Sequence, residues 1–108
     1  MKLISKAMTT AIAVISLVSV SYAGIYNVPK LSNIYAEETG RVLIKWSGSP
    51  NPGPCGLNNG WVAIRSTAKE VLKTLAYNIY FSGKPARIDT KGCDGRWEIV
   101  TSLYSPGG

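Results

Sequence analysis

The sequence predicts a mainly β fold of five short strands, with one helix between the third and the fourth. Three observations carry this. Apolar and polar residues alternate with a period of two in several short runs. One stretch, near residues 68–82, has the three- and four-residue apolar spacing of a helix. Glycine- and proline-rich breaks separate the runs. Three strands, a helix and two further strands make the order of an OB-fold, a small Greek-key β-barrel with its helix between strands 3 and 4. The alternative is an α+β sandwich with the helix on one face of an open sheet.

Residues 1–23 read as a secretory signal peptide. Met1 to Lys6 carries two lysines and no acid, Ala7 to Val20 is mostly apolar, and Ser21-Tyr22-Ala23 places small residues three before and one before a cut. The apolar run is short for a membrane span. The expected product is residues 24–108, one small domain exported to the periplasm or the medium with no transmembrane anchor after cleavage.

The strands follow in order. Leu31 to Ala36 is β-compatible and ends at the turn Glu38-Thr39-Gly40. Arg41 to Trp46 holds Val42-Leu43-Ile44 between two cations. Ser47 to Gly60 contains three prolines and four glycines and is expected to be a loop. Trp61 to Ile64 is a short third strand. Thr67 and Glu70 have the spacing of a capping box. Val71, Leu72, Leu75, Ala76 and Ile79 then line one helical face, leaving Lys69, Lys73 and Asn78 largely on the other. Gly83 stands where a left-handed cap belongs and Pro85 where a helix cannot continue. The helix is expected from Ala68 to Ser82. Ala86 to Asp89 is the fourth strand, Lys91 to Gly95 a turn, and Trp97 to Tyr104 the fifth strand.

A domain this small buries a modest core and often needs a staple. Cys55 and Cys93 are an even pair in an oxidising compartment, which reads as a disulfide. In the predicted topology strands 3 and 5 lie side by side and parallel. Cys55 precedes one and Cys93 the other, so their loops are neighbours. Closing that loop contributes about 4 kcal/mol.

The full chain carries a net charge of +6 with no histidine. Cleavage after Ala23 removes Lys2 and Lys6 and leaves +4, from ten basic and six acidic residues without a run of like charge. Without histidine there is no imidazole base and no Ser-His-Asp triad. Two cysteines alone do not make a structural zinc site. No phosphate-cradling glycine motif and no spaced pair of carboxylates stands out. No catalytic residue, metal or cofactor is expected, and the protein reads as a binder rather than an enzyme. Its rings are many for its length: Trp46, Trp61 and Trp97, with Tyr26, Tyr35, Tyr77, Tyr80 and Tyr104. Such rings stack on sugars or bases, and they also fill small cores. Trp61 and Trp97, which begin strands, are the expected core members.

Lys69-Glu70-Val71-Leu72, Leu75-Ala76-Tyr77 and Tyr80-Phe81-Ser82-Gly83-Lys84-Pro85-Ala86-Arg87-Ile88 together resemble the binding subunits of subtilase cytotoxin and the related pertussis-like toxins. The chain is also similar to small exported bacterial proteins of the same shape. The toxin resemblance implies a secreted OB-fold protein that forms a pentameric ring and binds cell-surface glycans. It implies a sugar-contacting serine just before the first strand and a short way ahead of a Thr-Gly turn, to which Ser32 ahead of Thr39-Gly40 corresponds here. Ser32, with Tyr35, Lys45 and Trp46 nearby in the first two strands, forms the candidate ligand set. The other reading is a periplasmic or secreted protein that binds another protein in a structural or inhibitory role. Nucleic acid, met through the barrel face and the net positive charge, is the weakest of the three.

Overall fold

A computed structural model describes residues 23–105. The expected signal peptide, Ala23 apart, lies outside the described residues. Six strands and one helix occur among those residues: β1 (Ala23–Val28), β2 (Leu31–Ala36), β3 (Val42–Trp46), β4 (Val62–Ile64), α1 (Glu70–Ser82), β5 (Ala86–Asp94) and β6 (Trp97–Tyr104). The protein is mainly β. No helix of the described residues is long and apolar enough to cross a membrane.

The strands form one mixed sheet in the order β1-β5-β6-β4-β3-β2. Four of its pairings are antiparallel. The fifth, β4 with β6, is parallel and registers Ala63 on Ile99. These two were the strands expected to run side by side in parallel. The disulfide beside them is formed: Cys55 and Cys93 are bonded with their Cα atoms 5.8 Å apart.

Two expectations are corrected. Five strands become six, because residues 23–28, for which no element was expected, form an edge strand on β5, from Ala23↔Lys91 to Val28↔Ala86. Its alternation is legible only once the partner is known. Tyr26 and Val28 turn inward, while the apolar Ile25 faces solvent. The expected closed ladder is also absent: β1 and β2 are the two edges of the sheet and do not pair with each other. They are joined only through Pro29-Lys30, and proline supplies no amide hydrogen for a ladder.

The sheet nonetheless curls around one core. Val42, Ile44 and Trp46 of β3 alternate into it, as do Ala86 and Ile88 of β5, with Val62, Ile64, Leu31, Val28 and Val100. Tyr26 of β1 meets Trp46 of β3 with ring centroids 5.4 Å apart. Strands from opposite ends of the sheet order thus face each other across the interior.

The helix ends as expected and starts differently. Gly83 adopts φ 68° and its N–H donates to the carbonyls of Ile79 and Tyr80. At the other end Lys69 is the cap and no side chain bonds there, so the Thr67–Glu70 capping box does not form. Ala68 N–H instead donates to Arg65 O in a turn, and the helix begins at Glu70. The buried line also differs, running Lys73, Ala76, Ile79. Lys73 is only 7 % exposed and Val71 is 74 % exposed, the reverse of the sequence reading. A local hydrogen bond accompanies this phase. Lys73 Nζ donates to Ser66 O at 2.9 Å, so its four-carbon stem packs inward while its charge stays partnered. Leu72 and Leu75 flank this line, partly buried against the core.

The turn expected at Lys91 to Gly95 is shorter. The β5–β6 ladder continues through Cys93↔Glu98 and Asp94↔Trp97, leaving only Gly95-Arg96 to reverse the chain. Register shifts between Asp89 and Cys93 absorb the extra residues, and Gly92 takes φ 79° there.

Candidate functional site

The start of β2, the end of β3 and the C-terminus of α1 meet around an open groove of about 720 Å³. It is lined by Lys30, Leu31 and Ser32, by Ser47, and by Tyr80 to Gly83. Local structure explains the assembly. Leu31 is buried and anchors β2, while Ser32 is exposed. Ser32 occupies the register shift between Leu31↔Trp46 and Asn33↔Lys45, which turns its hydroxyl to donate to Lys45 O at 3.2 Å. The left-handed cap at Gly83 brings the helix end alongside β2: a Cβ there would stand 3.7 Å from Lys30 Cε.

Phe81 is the unusual member. It is 77 % exposed and meets Tyr80 edge-on at 5.2 Å. It belongs to the outward helical stripe Val71, Thr74, Asn78, Phe81, all exposed in the helix phase observed. A large ring held bare beside three serine hydroxyls and a lysine suits a ligand with an apolar face and a hydroxylated rim.

The four sequence candidates separate into three places. Ser32 lines the groove. Tyr35 and Lys45 lie beyond it on the outer face of the sheet, where Trp61 joins them. Lys45 Nζ sits 4.8 Å from the Trp61 ring centroid, and the Tyr35 and Trp61 rings are 6.4 Å apart. Trp46 faces the core against Tyr26 and is buried, so its ring is not offered to a ligand. The tryptophan expectation is reversed: Trp61 and Trp97 are only partly covered, and Trp46 is the core member. Trp97 has the guanidinium of Arg41 at 4.3 Å and that of Arg96 at 5.2 Å.

Sequence reasoning did not single out Lys30, Ser47 or Phe81 as site residues. For Phe81 a signal existed. Phe81 is one turn on from Asn78, which the apolar spacing places on the outer helical face, so its exposure was legible in the sequence.

The acids are largely committed elsewhere. Glu37 makes a two-pronged ion pair with Arg41, whose Nη2 donates to Oε2 at 3.0 Å, and this holds Glu37 below the usual carboxylate range. Asp89 is lowered by hydrogen bonds from Arg87 and then Ser102. Asp94 Oδ2 lies 3.7 Å from Arg41. Glu98 is 1 % exposed and accepts hydrogen bonds at 2.9 Å from Tyr26 and from Thr90. Burial, then the Glu98 hydrogen bond and charge, push the Tyr26 phenol up to about 12. Beside this cluster Asn58 is buried; its Oδ1 accepts from Gly60 N–H at 2.9 Å, and its Nδ2 has no partner among the described residues. No group of three or more metal-ligating side chains forms among the described residues. The groove itself is lined by hydroxyls, one ammonium and two rings.

No known protein family matches this chain, and neither a curated protein nor a solved structure matches it.

Proposed function

We propose that this chain is a small exported binding protein, not an enzyme, that holds a glycan in the groove between Lys30-Ser32 and Tyr80-Gly83. The observation that carries the reading is the exposed Phe81 ring standing beside Ser32, Ser47, Ser82 and Lys30. An aromatic face stacks on the C–H face of a sugar, and the hydroxyls and ammonium bond its rim. Export is supported by the sequence of residues 1–23 and by the disulfide. The architecture is read as an OB-type sheet whose first strand is broken at Pro29. In support, β2-β3-β4-β6-β5 has the OB strand order with its one parallel pair, α1 falls between the third and fourth of those strands, and β1 continues β2 onto β5. A glycan array probed with the oxidised protein, residues 24–108, tests the function. Binding that Phe81→Ala weakens by about tenfold supports it; no binding to any glycan overturns it.

The second reading is self-association, as in a pentameric ring. It draws on an apolar trough between α1 and β6, lined by Val71, Leu72, Leu75, Val100 and Leu103. Beyond Ile99 that side of β6 has no strand paired to it among the described residues. The occupant proposed is the free β2 edge of a second copy. Light scattering across a concentration series decides: a constant monomer mass removes this reading. Nucleic-acid binding is disfavoured, and an affinity for DNA or RNA that persists at physiological salt would count against the glycan reading.

A further inference from the structure

We infer that the ligand is an extended oligosaccharide rather than a single terminal sugar, because the Phe81 groove continues into a second aromatic subsite formed by Tyr35, Trp61 and Lys45. This rests on the glycan reading of the groove and adds its length and direction. Lys45 touches a residue of each subsite. Its backbone carbonyl accepts the Ser32 hydroxyl at 3.2 Å, on the groove side. Its ammonium stands 4.8 Å from the Trp61 ring, on the platform side, and that ring faces Tyr35 at 6.4 Å with a tilt of 52°.

The platform is built on the outer face of the sheet. Val42, Ile44 and Trp46 turn into the core, so Leu43 and Lys45 point the other way. Tyr35, Leu43 and Ala63 form one cross-strand row over β2, β3 and β4. Leu43 and Ala63 are buried there although neither belongs to the core cluster. Tyr35 therefore rests in register on a covered apolar row while remaining 54 % exposed. That is a ring held in place with its surface free, which lowers the ordering cost of stacking. Ser32 and Tyr35 are three residues apart, roughly 10 Å along a strand, a longer span than one sugar ring covers. β2 is an edge strand, so a chain crossing from groove to platform meets no neighbouring strand.

A length series tests this: glycans of one to five rings sharing the terminal sugar that scores on the array, titrated by calorimetry. Affinity should rise by about tenfold as the chain reaches the platform, then level off. Tyr35→Ala should abolish that gain and leave the one-ring affinity unchanged, while Phe81→Ala should weaken every length. Trp61→Phe, which keeps a ring, should lose only part of the gain. Affinity independent of length, or a gain untouched by Tyr35→Ala in a variant with a wild-type melt, overturns the extended site while leaving the groove intact. Failure of every length to bind overturns both.

Discussion

The hydroxyl of Tyr26 lies 2.9 Å from Glu98, joining β1 to β6 across 72 residues of chain. Thr90, on the strand between them, donates to the same carboxylate at 2.9 Å. Three neighbouring strands thus send one polar side chain each to a single buried point. The bonds satisfy a carboxylate that would otherwise be expensive to bury, and they tie an edge strand to the middle of the sheet.

The cluster predicts an alkaline titration. An unfolded tyrosine ionises near 10, whereas Tyr26 in the fold is pushed up to about 12. The raised value means that the fold favours the neutral phenol. Its contribution to stability is complete below the unfolded value and is lost as pH rises from about 10 to about 12. Tyrosinate absorbance should show one residue titrating late. Glu98→Gln should move that residue part of the way back, because burial, the larger cause, remains.

The disulfide predicts a large loss on reduction. Cys55→Ser frees the Ser47–Gly60 loop from β5 and removes about 4 kcal/mol. Thermal melts should fall by about 15 °C or more. An unchanged melt would show that the loop is held by its other contacts.

Helix phase is tested by two substitutions. Ile79 is buried and should lose about 2–5 kcal/mol on change to Ala. Val71, exposed, should stay within about 0.5 kcal/mol as Val71→Ala. Urea denaturation of the two variants separates this phase from the one in which Val71 packs inward.

Lys73 carries a prediction for stability. Lys73→Glu sets a carboxylate against Ser66 O and Glu70 and should cost about 1–3 kcal/mol in the monomer. Lys73→Met keeps the stem and should cost less. If the two variants melt alike, the Lys73–Ser66 hydrogen bond contributes little.

Phe81→Ala should leave the melting temperature unchanged, since the ring covers little of the core, while lowering glycan affinity by about tenfold. Parallel melts and array titrations measure both.

Much of this was written in local sequence. Period-two runs located β2, β3, β4 and β6, and Gly83 with Pro85 located the helix end, because each signal acts within a few residues. The pairing of Cys55 with Cys93 followed from topology and compartment together. Ser32, named through the toxin resemblance, lines the groove; its companions there were not foreseen.

The rest depended on contacts distant in sequence. Residues 23–28 become a strand only because β5 offers them a ladder. The helix buries its Lys73, Ala76 and Ile79 line because β2 and β6 arrive against it. Trp46 is interior, and Trp61 half-covered, because the curl of the sheet brings Tyr26 onto the first while Lys45 and Tyr35 meet the second. A sequence states which residues can be buried and with what period. Which face of a helix or which of three tryptophans is buried is decided by the surface that arrives opposite, and that surface exists only once the chain has folded.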